Sequence, residues 1–266
     1  MTGMDKKKTG LSAFSLKITA LILMTLDHIG YFIPGAPFVL RVIGRLSAPV
    51  FFFVAANSLA HTSDRRLFIF RLYIASASME LTKMIVFFFD ADSRYIVTNN
   101  IFTTIFYAVF LANQISTAIH QYRQKEWRKL FEAAVLAAFP VIWTLVAIPR
   151  SGFTGWTLKA ILPTLTQAEG GVSWIFLGVC LCLLINNKKA LVGFYCAYCS
   201  ILALQAFSYA SVISPFGSNI QWMMIFALPL FLLYNGEKGP GFKWLFYAYY
   251  PVHIWILYFI GRIVSR

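Results

Sequence analysis

Apolar residues in this chain come in long runs separated by short polar breaks. They show neither the alternation of a half-buried strand nor the narrow stripe of a surface helix. Nine runs are candidate membrane spans: 12–33, 39–60, 67–89, 96–119, 129–149, 171–186, 190–213, 220–234 and 243–263. A crossing helix needs about 20 apolar residues, so the sixth and eighth are short and one of them is a candidate re-entrant segment. The breaks carry turn chemistry. Ile33-Pro34-Gly35-Ala36-Pro37 forms a tight turn between the first two runs, 121–129 is a basic loop, 151–170 is a longer polar stretch, and Asn235 to Gly241 is a flexible turn before the last run. No internal repeat and no soluble domain interrupts the pattern. The chain reads as one membrane domain over 1–266, with residues 1–11 a polar leader.

Composition narrows the class. Of 266 residues, 59% are apolar, 17% aromatic and 12% charged, whereas soluble domains carry roughly a quarter charged residues. Disorder is excluded by the aliphatic and aromatic content. An outer-membrane barrel would show alternating segments of about ten residues, and none is present. The fold class is therefore all-α, a polytopic helical membrane protein. The lysines before the first run resemble a secretory signal, but that run is too long, lacks a small-residue cleavage site and contains Asp27 and His28, so it reads as an uncleaved first span.

The net charge of +13 raises nucleic-acid binding until the positive residues are placed by side. With the leader cytoplasmic, 13 Lys and Arg fall on the cytoplasmic side, including Lys6, Lys7 and Lys8, and 5 fall outside, including Arg94 and Arg266. That bias follows the positive-inside rule, with the N-terminus cytoplasmic and the C-terminus outside. The charge is an orientation signal, and nucleic acid is not needed to explain it.

Ionisable groups inside spans are costly and mark functional candidates. Asp27 and His28 lie six or seven residues before Pro34, about 10 Å below the outer boundary. Arg45 lies eight residues past Pro37, at a similar depth, and shares a helix face with Arg41. The hairpin thus brings a carboxylate, an imidazole and a guanidinium to one level. An Asp27–Arg45 pair that merely locks the hairpin is the structural alternative. Imidazole suits proton transfer near neutral pH, which makes His28 a candidate base. His253 sits near the middle of the last run beside Pro251, where a kink is expected, and it reads either as an interhelical donor or as part of a shared polar cavity. Glu80 and Lys83, three apart, read as a structural pair. Asn99 and Asn100 head the fourth run and are candidates for the outer vestibule. His61 and His120 fall in cytoplasmic loops. Cys180, Cys182, Cys196 and Cys199 have metal-like spacing but no accompanying His or Asp, so they read as small apolar residues and no metal is expected. No P-loop, GxGxxG, HExxH or GxSxG occurs.

Several of these residues fall in longer matching blocks. Leu16 to Gly30, ending Leu26-Asp27-His28-Ile29-Gly30, resembles the opening of the TraX family of membrane proteins. So does Gly44-Arg45 followed by Pro49 and Phe51, Asn100-Ile101-Phe102-Thr103, Leu228-Pro229-Leu230 with Tyr234-Asn235-Gly236, and Phe246-Tyr247-Ala248-Tyr249-Tyr250-Pro251-Val252-His253. The resemblance runs from about residue 14 to the last span and is thin over 120–215. That family is named for an acetylase that N-acetylates conjugative pilin from acetyl-CoA, and it resembles wider groups of transmembrane acyltransferases acting on cell-surface sugars. The resemblance implies a multi-pass protein of the bacterial cytoplasmic membrane that moves acetyl groups from cytoplasmic acetyl-CoA to a peptide amine or glycan acceptor outside. It further implies His28 as general base or acetyl carrier, Asp27 as its orienter and His253 as second acid/base. Arg45, Arg41, Asn100 and Tyr250 are then candidates for binding substrate or stabilising an oxyanion. A secondary transporter or proton-coupled permease and a non-enzymatic membrane assembly protein are the competing readings. Aromatic-rich faces are compatible with a homodimer.

Overall fold

The computed structural model describes residues 9–89, 97, 100–210, 214–217 and 219–264. Lys6, Lys7, Lys8, Arg94, Asn99 and Arg266 lie outside the described residues. The fold is all-helical, and among the described residues six segments are long and apolar enough to cross a membrane: Ala13–Phe32, Val39–His61, Arg65–Phe89, Ile101–Arg123, Trp127–Ala147 and Lys188–Ser208. The sixth and eighth expected spans are shorter apolar segments, Gly171–Leu184 and Gln221–Leu232, and the ninth is a helix over Lys243–Val264. Two compact units form, one from residues 1–54 and 195–266, the other from 55–194.

In the first unit, α1 (Ala13–Phe32) opens with Ser12 as N-cap, its hydroxyl accepting from the Ser15 amide at 3.2 Å. After the Pro34–Pro37 turn come α2 (Val39–Gly44) and the start of α3 (Ser47–His61). Their separation at Arg45 and Leu46 has a local cause. Pro49 has no N–H, so the Arg45 carbonyl loses its helical donor four residues on, and Arg45 and Leu46 instead bond three residues back. Gly44 permits the closest approach in the hairpin, since a Cβ there would lie 2.2 Å from the Asp27 Cβ.

The remainder of this unit holds the end of α9 (Lys188–Ser208), a 3₁₀ stretch over Gln221–Ala227, α10 (Leu228–Leu232) and α11 (Lys243–Val264). The expected span 220–234 is therefore not one regular α-helix. Helix α11 packs parallel to α1. Phe14 meets Phe246, Thr25 meets Tyr249, His28 meets His253 and Phe32 meets Tyr258, in that order along both helices. At the starting end, Leu11 accepts from and donates to the 233–235 turn, and the Ala13 amide donates to the Glu237 carbonyl at 2.8 Å. At the other end Gly261 sits against the Phe32 carbonyl, where no side chain would fit.

In the second unit, α4 (Arg65–Phe89), α6 (Trp127–Ala147) and α8 (Gly171–Leu184) pack against α5 (Ile101–Arg123), and α7 (Gly152–Ile161) packs chiefly on α4. Helix α5 is buried on every side from Ile101 to Val109, the signature of an interior helix. The 151–170 stretch, expected as a polar connection, contains α7 and a 3₁₀ turn at Leu165–Gln167. Neighbouring side chains satisfy its backbone: the Tyr107 hydroxyl donates to the Pro163 carbonyl, and the Leu165 amide donates to the Thr144 hydroxyl at 3.0 Å.

Candidate functional site

Asp27, His28, Arg41, Arg45 and His253 all fall in the first unit, on α1, on and just past α2, and on α11. Asp27 lies fourteen residues into α1, about 21 Å along its axis and about 8 Å short of its end. Arg45 Nη2 donates to both Asp27 carboxylate oxygens, at 2.6 and 2.7 Å. Arg41 Nη1 donates to Asp27 Oδ2 at 2.9 Å and to the Asp27 carbonyl at 3.2 Å. The remaining Arg45 nitrogens are also engaged: Nε donates to the Arg41 carbonyl at 3.3 Å and Nη1 to Gln221 Oε1 at 3.2 Å. Two guanidiniums thus share the Asp27 carboxylate. The hairpin pairing expected from counting residues back from the prolines is present, with Arg41 as a second partner. Gln221 is a partner that the sequence reading did not single out, and its one signal was a polar residue at the head of a short apolar run.

His28 turns away from this cluster, because consecutive residues on a helix point about 100° apart. Its Nδ1 lies 2.7 Å from His253 Nε2. His253 Nδ1 lies 2.8 Å from the Tyr249 carbonyl, which only accepts, so His253 Nδ1 carries its proton and its Nε2 is the acceptor. His28 Nδ1 must then donate, which leaves the basic lone pair of a neutral His28 on Nε2. The hydrogen-bond pattern assigns both tautomers. The group that orients His28 Nδ1 is therefore His253, not the expected Asp27, whose oxygens serve the arginines. Both imidazoles are buried, at 2% and 6% exposure. They lie at one level, although the sequence placed His253 nearer mid-bilayer than His28.

Aromatic rings pack around the pair. Tyr249 stacks on His253 with centroids 5.0 Å apart at 16°, and its hydroxyl lies 2.7 Å from Thr25 Oγ1. Since Thr25 donates to the Leu21 carbonyl at 2.8 Å, the Tyr249 hydroxyl donates to Thr25. Tyr250 is buried with its ring edge-on to both imidazoles.

Asn100 belongs to the second unit. There its amide nitrogen donates to Glu80 Oε1 at 2.6 Å and to the Ser76 carbonyl at 3.1 Å, while its oxygen caps α5 by accepting from the Thr103 amide. Lys83 also donates to Glu80 Oε1 at 2.7 Å, the structural pair that their spacing suggested, and Gln167 donates to Oε2 at 2.7 Å. His61 Nδ1 donates to the Asn57 carbonyl at the exposed end of α3. All four cysteines are free thiols, and among the described residues no cluster of His, Cys, Asp or Glu has the arrangement of a metal site.

A family model described as TraX protein matches residues 12–261. The chain is 24% identical over 259 residues to a protein of Dichelobacter nodosus named "Probable fimbrial assembly protein FimC, serogroup H1", a match covering 92% of this chain and 94% of that one. No solved structure matches.

Proposed function

The chain belongs to the TraX family, and from that premise we propose a membrane-embedded acetyltransferase that moves an acetyl group from acetyl-CoA to an amine or hydroxyl acceptor across the membrane from the leader. In this reading the protein resides in a bacterial cytoplasmic membrane and the acceptor is a pilin-like peptide amine. The observation that carries the reading is the directed His28–His253 bond, which leaves the His28 lone pair on Nε2.

His28 Nε2 takes the proton of the acceptor N–H as its nitrogen attacks the thioester carbonyl carbon. The C–S bond breaks as the amide forms, and the departing sulfur receives that proton from His28, which regenerates the neutral ring. His253 accepts from His28 Nδ1–H throughout and so steadies the imidazolium that forms in between. Arg41, at 24% side-chain exposure, is more accessible than Arg45, at 16% and with all its nitrogens engaged. Arg41 is accordingly the better partner for substrate, and Arg45 the clamp on Asp27. Tyr250 walls the pair.

The test uses the full chain in nanodiscs with radiolabelled acetyl-CoA and a short peptide bearing a free amine. Label should pass to the peptide, and His28→Ala should lower the rate by about 10²–10⁴-fold while the protein remains monodisperse. Folded protein that neither binds nor turns over labelled acetyl-CoA would refute the proposal. The name of the Dichelobacter nodosus relative favours one competing reading, an assembly factor without chemistry, and that refuting result would be its support.

A further inference from the structure

The cluster beside the histidine pair holds a partly exposed cation, Arg41, that proton transfer does not use. Asp27 is the single carboxylate that both Arg41 and Arg45 engage. The other carboxylate among the described residues of this unit, Glu237, lies at the opposite end of α1, where its carbonyl accepts from Ala13. Arg45 is fully occupied by Asp27, Gln221 and the Arg41 carbonyl. Arg41 is presented differently. Its aliphatic stem lies along Gly30, where a Cβ would come within 3.0 Å of the Arg41 Cγ. Its guanidinium carbon sits 5.1 Å from the ring centroid of Tyr31, itself 36% exposed. Gly30 and Tyr31 therefore hold a planar cation in place at the accessible edge of the cluster, a preorganised anion partner.

Resting on the acetyltransferase reading, we propose that Arg41 selects the acceptor by binding an anionic group carried near its reacting amine, so that the preferred acceptor is an acidic peptide. Position favours acceptor over donor. Arg41 lies four residues past the Pro37 turn, at the end of α1 remote from the leader and from Lys17, Lys238 and Lys243. A donor entering from the leader side brings its thioester, not its phosphates, to His28. A charge-assisted bond to such an anion is a matter of about tenfold to a hundredfold in affinity.

Two peptides of equal length, differing only in Glu or Gln at the second position, provide the test, with the full chain held in zwitterionic nanodiscs. Equilibrium binding is measured without donor, and acetyl transfer separately. The Glu peptide should bind at least about tenfold more tightly, and Arg41→Gln should bring the Glu-to-Gln affinity ratio close to one, with Arg41→Lys between. The ratio is read within each variant, so a change in absolute affinity does not obscure it. Equal binding of the two peptides by the unaltered protein overturns the proposal, whether or not transfer occurs. A ratio that survives Arg41→Gln also overturns it, as does an Arg41→Gln variant impaired only in its KM for acetyl-CoA. If the Glu preference and its loss in Arg41→Gln stand while neither peptide is acetylated, the anion site holds and the transferase reading fails.

Discussion

Among the described residues each unit buries one carboxylate, Asp27 in the first and Glu80 in the second, and the two are treated differently. Glu80 in the second unit meets one lysine and two neutral amides, Lys83, Asn100 and Gln167, and its charge is cancelled within the cluster. The amide oxygens are used as well, Asn100 by the Thr103 amide and Gln167 by Thr164. Such a network has the character of a lock, with both carboxylate oxygens and both amide oxygens supplied with donors. Asp27 in the first unit is held by two arginines, one of them partly exposed, beside a histidine pair whose bond has a direction. Composition alone does not separate the two clusters, since both are a carboxylate with cations and amides. A partly exposed cation and a lone pair of assigned position set the first cluster apart from the second.

The sharpest way to break that contrast is to remove each carboxylate. Asp27→Ala leaves two largely buried guanidiniums without their counter-charge, a cost of about 3–5 kcal/mol. It should lower the thermal midpoint strongly and abolish acetyl transfer. Glu80→Gln keeps the shape and one acceptor. It should also lower the midpoint, yet leave transfer per folded molecule unchanged, as measured on the monodisperse fraction. A parallel fall in transfer for both variants would erase the distinction.

Backbone proximity gives a smaller contrast. Gly44→Ala must push α2 away from α1, because the new Cβ would sit 2.2 Å from that of Asp27. Overpacking of this kind costs about 1–3 kcal/mol, and transfer should fall with it as the arginines shift. At Gly193 an added Cβ meets nothing within 4 Å. Gly193→Ala should therefore hold or slightly raise the midpoint, by up to about 1 kcal/mol of helix propensity.

The smallest expected effect concerns the rung below the histidines. Tyr249→Phe keeps the ring stacked on His253 but removes the donor to Thr25, for about 0.5–1.5 kcal/mol. Thr25→Val should cost a similar amount, and the double variant less than the sum, since both remove one bond. A midpoint measurement on the three variants checks this. Full additivity would mean that the two side chains act separately.

The hairpin was legible in the sequence because its turn is short. Pro34 and Pro37 fix where α1 ends and α2 begins, so residues counted outward from them fall at matched depths, and Asp27 meets Arg45. The histidine partnership was not legible in the same way. His28 and His253 each stand out, but no short-range spacing relates residues 225 apart. Adjacency in sequence suggested Asp27 as the orienter, and helical geometry defeats that suggestion by turning neighbours to different faces. The broken α2–α3 span was foreshadowed by Pro49, whereas the 3₁₀ course of Gln221–Ala227 carries no such mark: its apolar run would read the same as an α-helix. Helix α7 was hidden in a stretch whose polar residues drew the eye away from Trp156, Leu158 and Ile161.

The partnership of α1 with α11 has a consequence for how the protein is made. The first of the two histidines enters the membrane early in synthesis, and its partner is still untranslated. At about 5–20 residues per second, a separation of 225 residues takes roughly ten to fifty seconds to emerge. Throughout that interval α1 carries an imidazole whose final acceptor does not exist, while Asp27 is already within reach of Arg41 and Arg45. The nascent chain can thus assemble its charged hairpin long before it acquires the histidine pair, and a ribosome that stops short of α11 leaves behind a well-anchored protein with half of that pair.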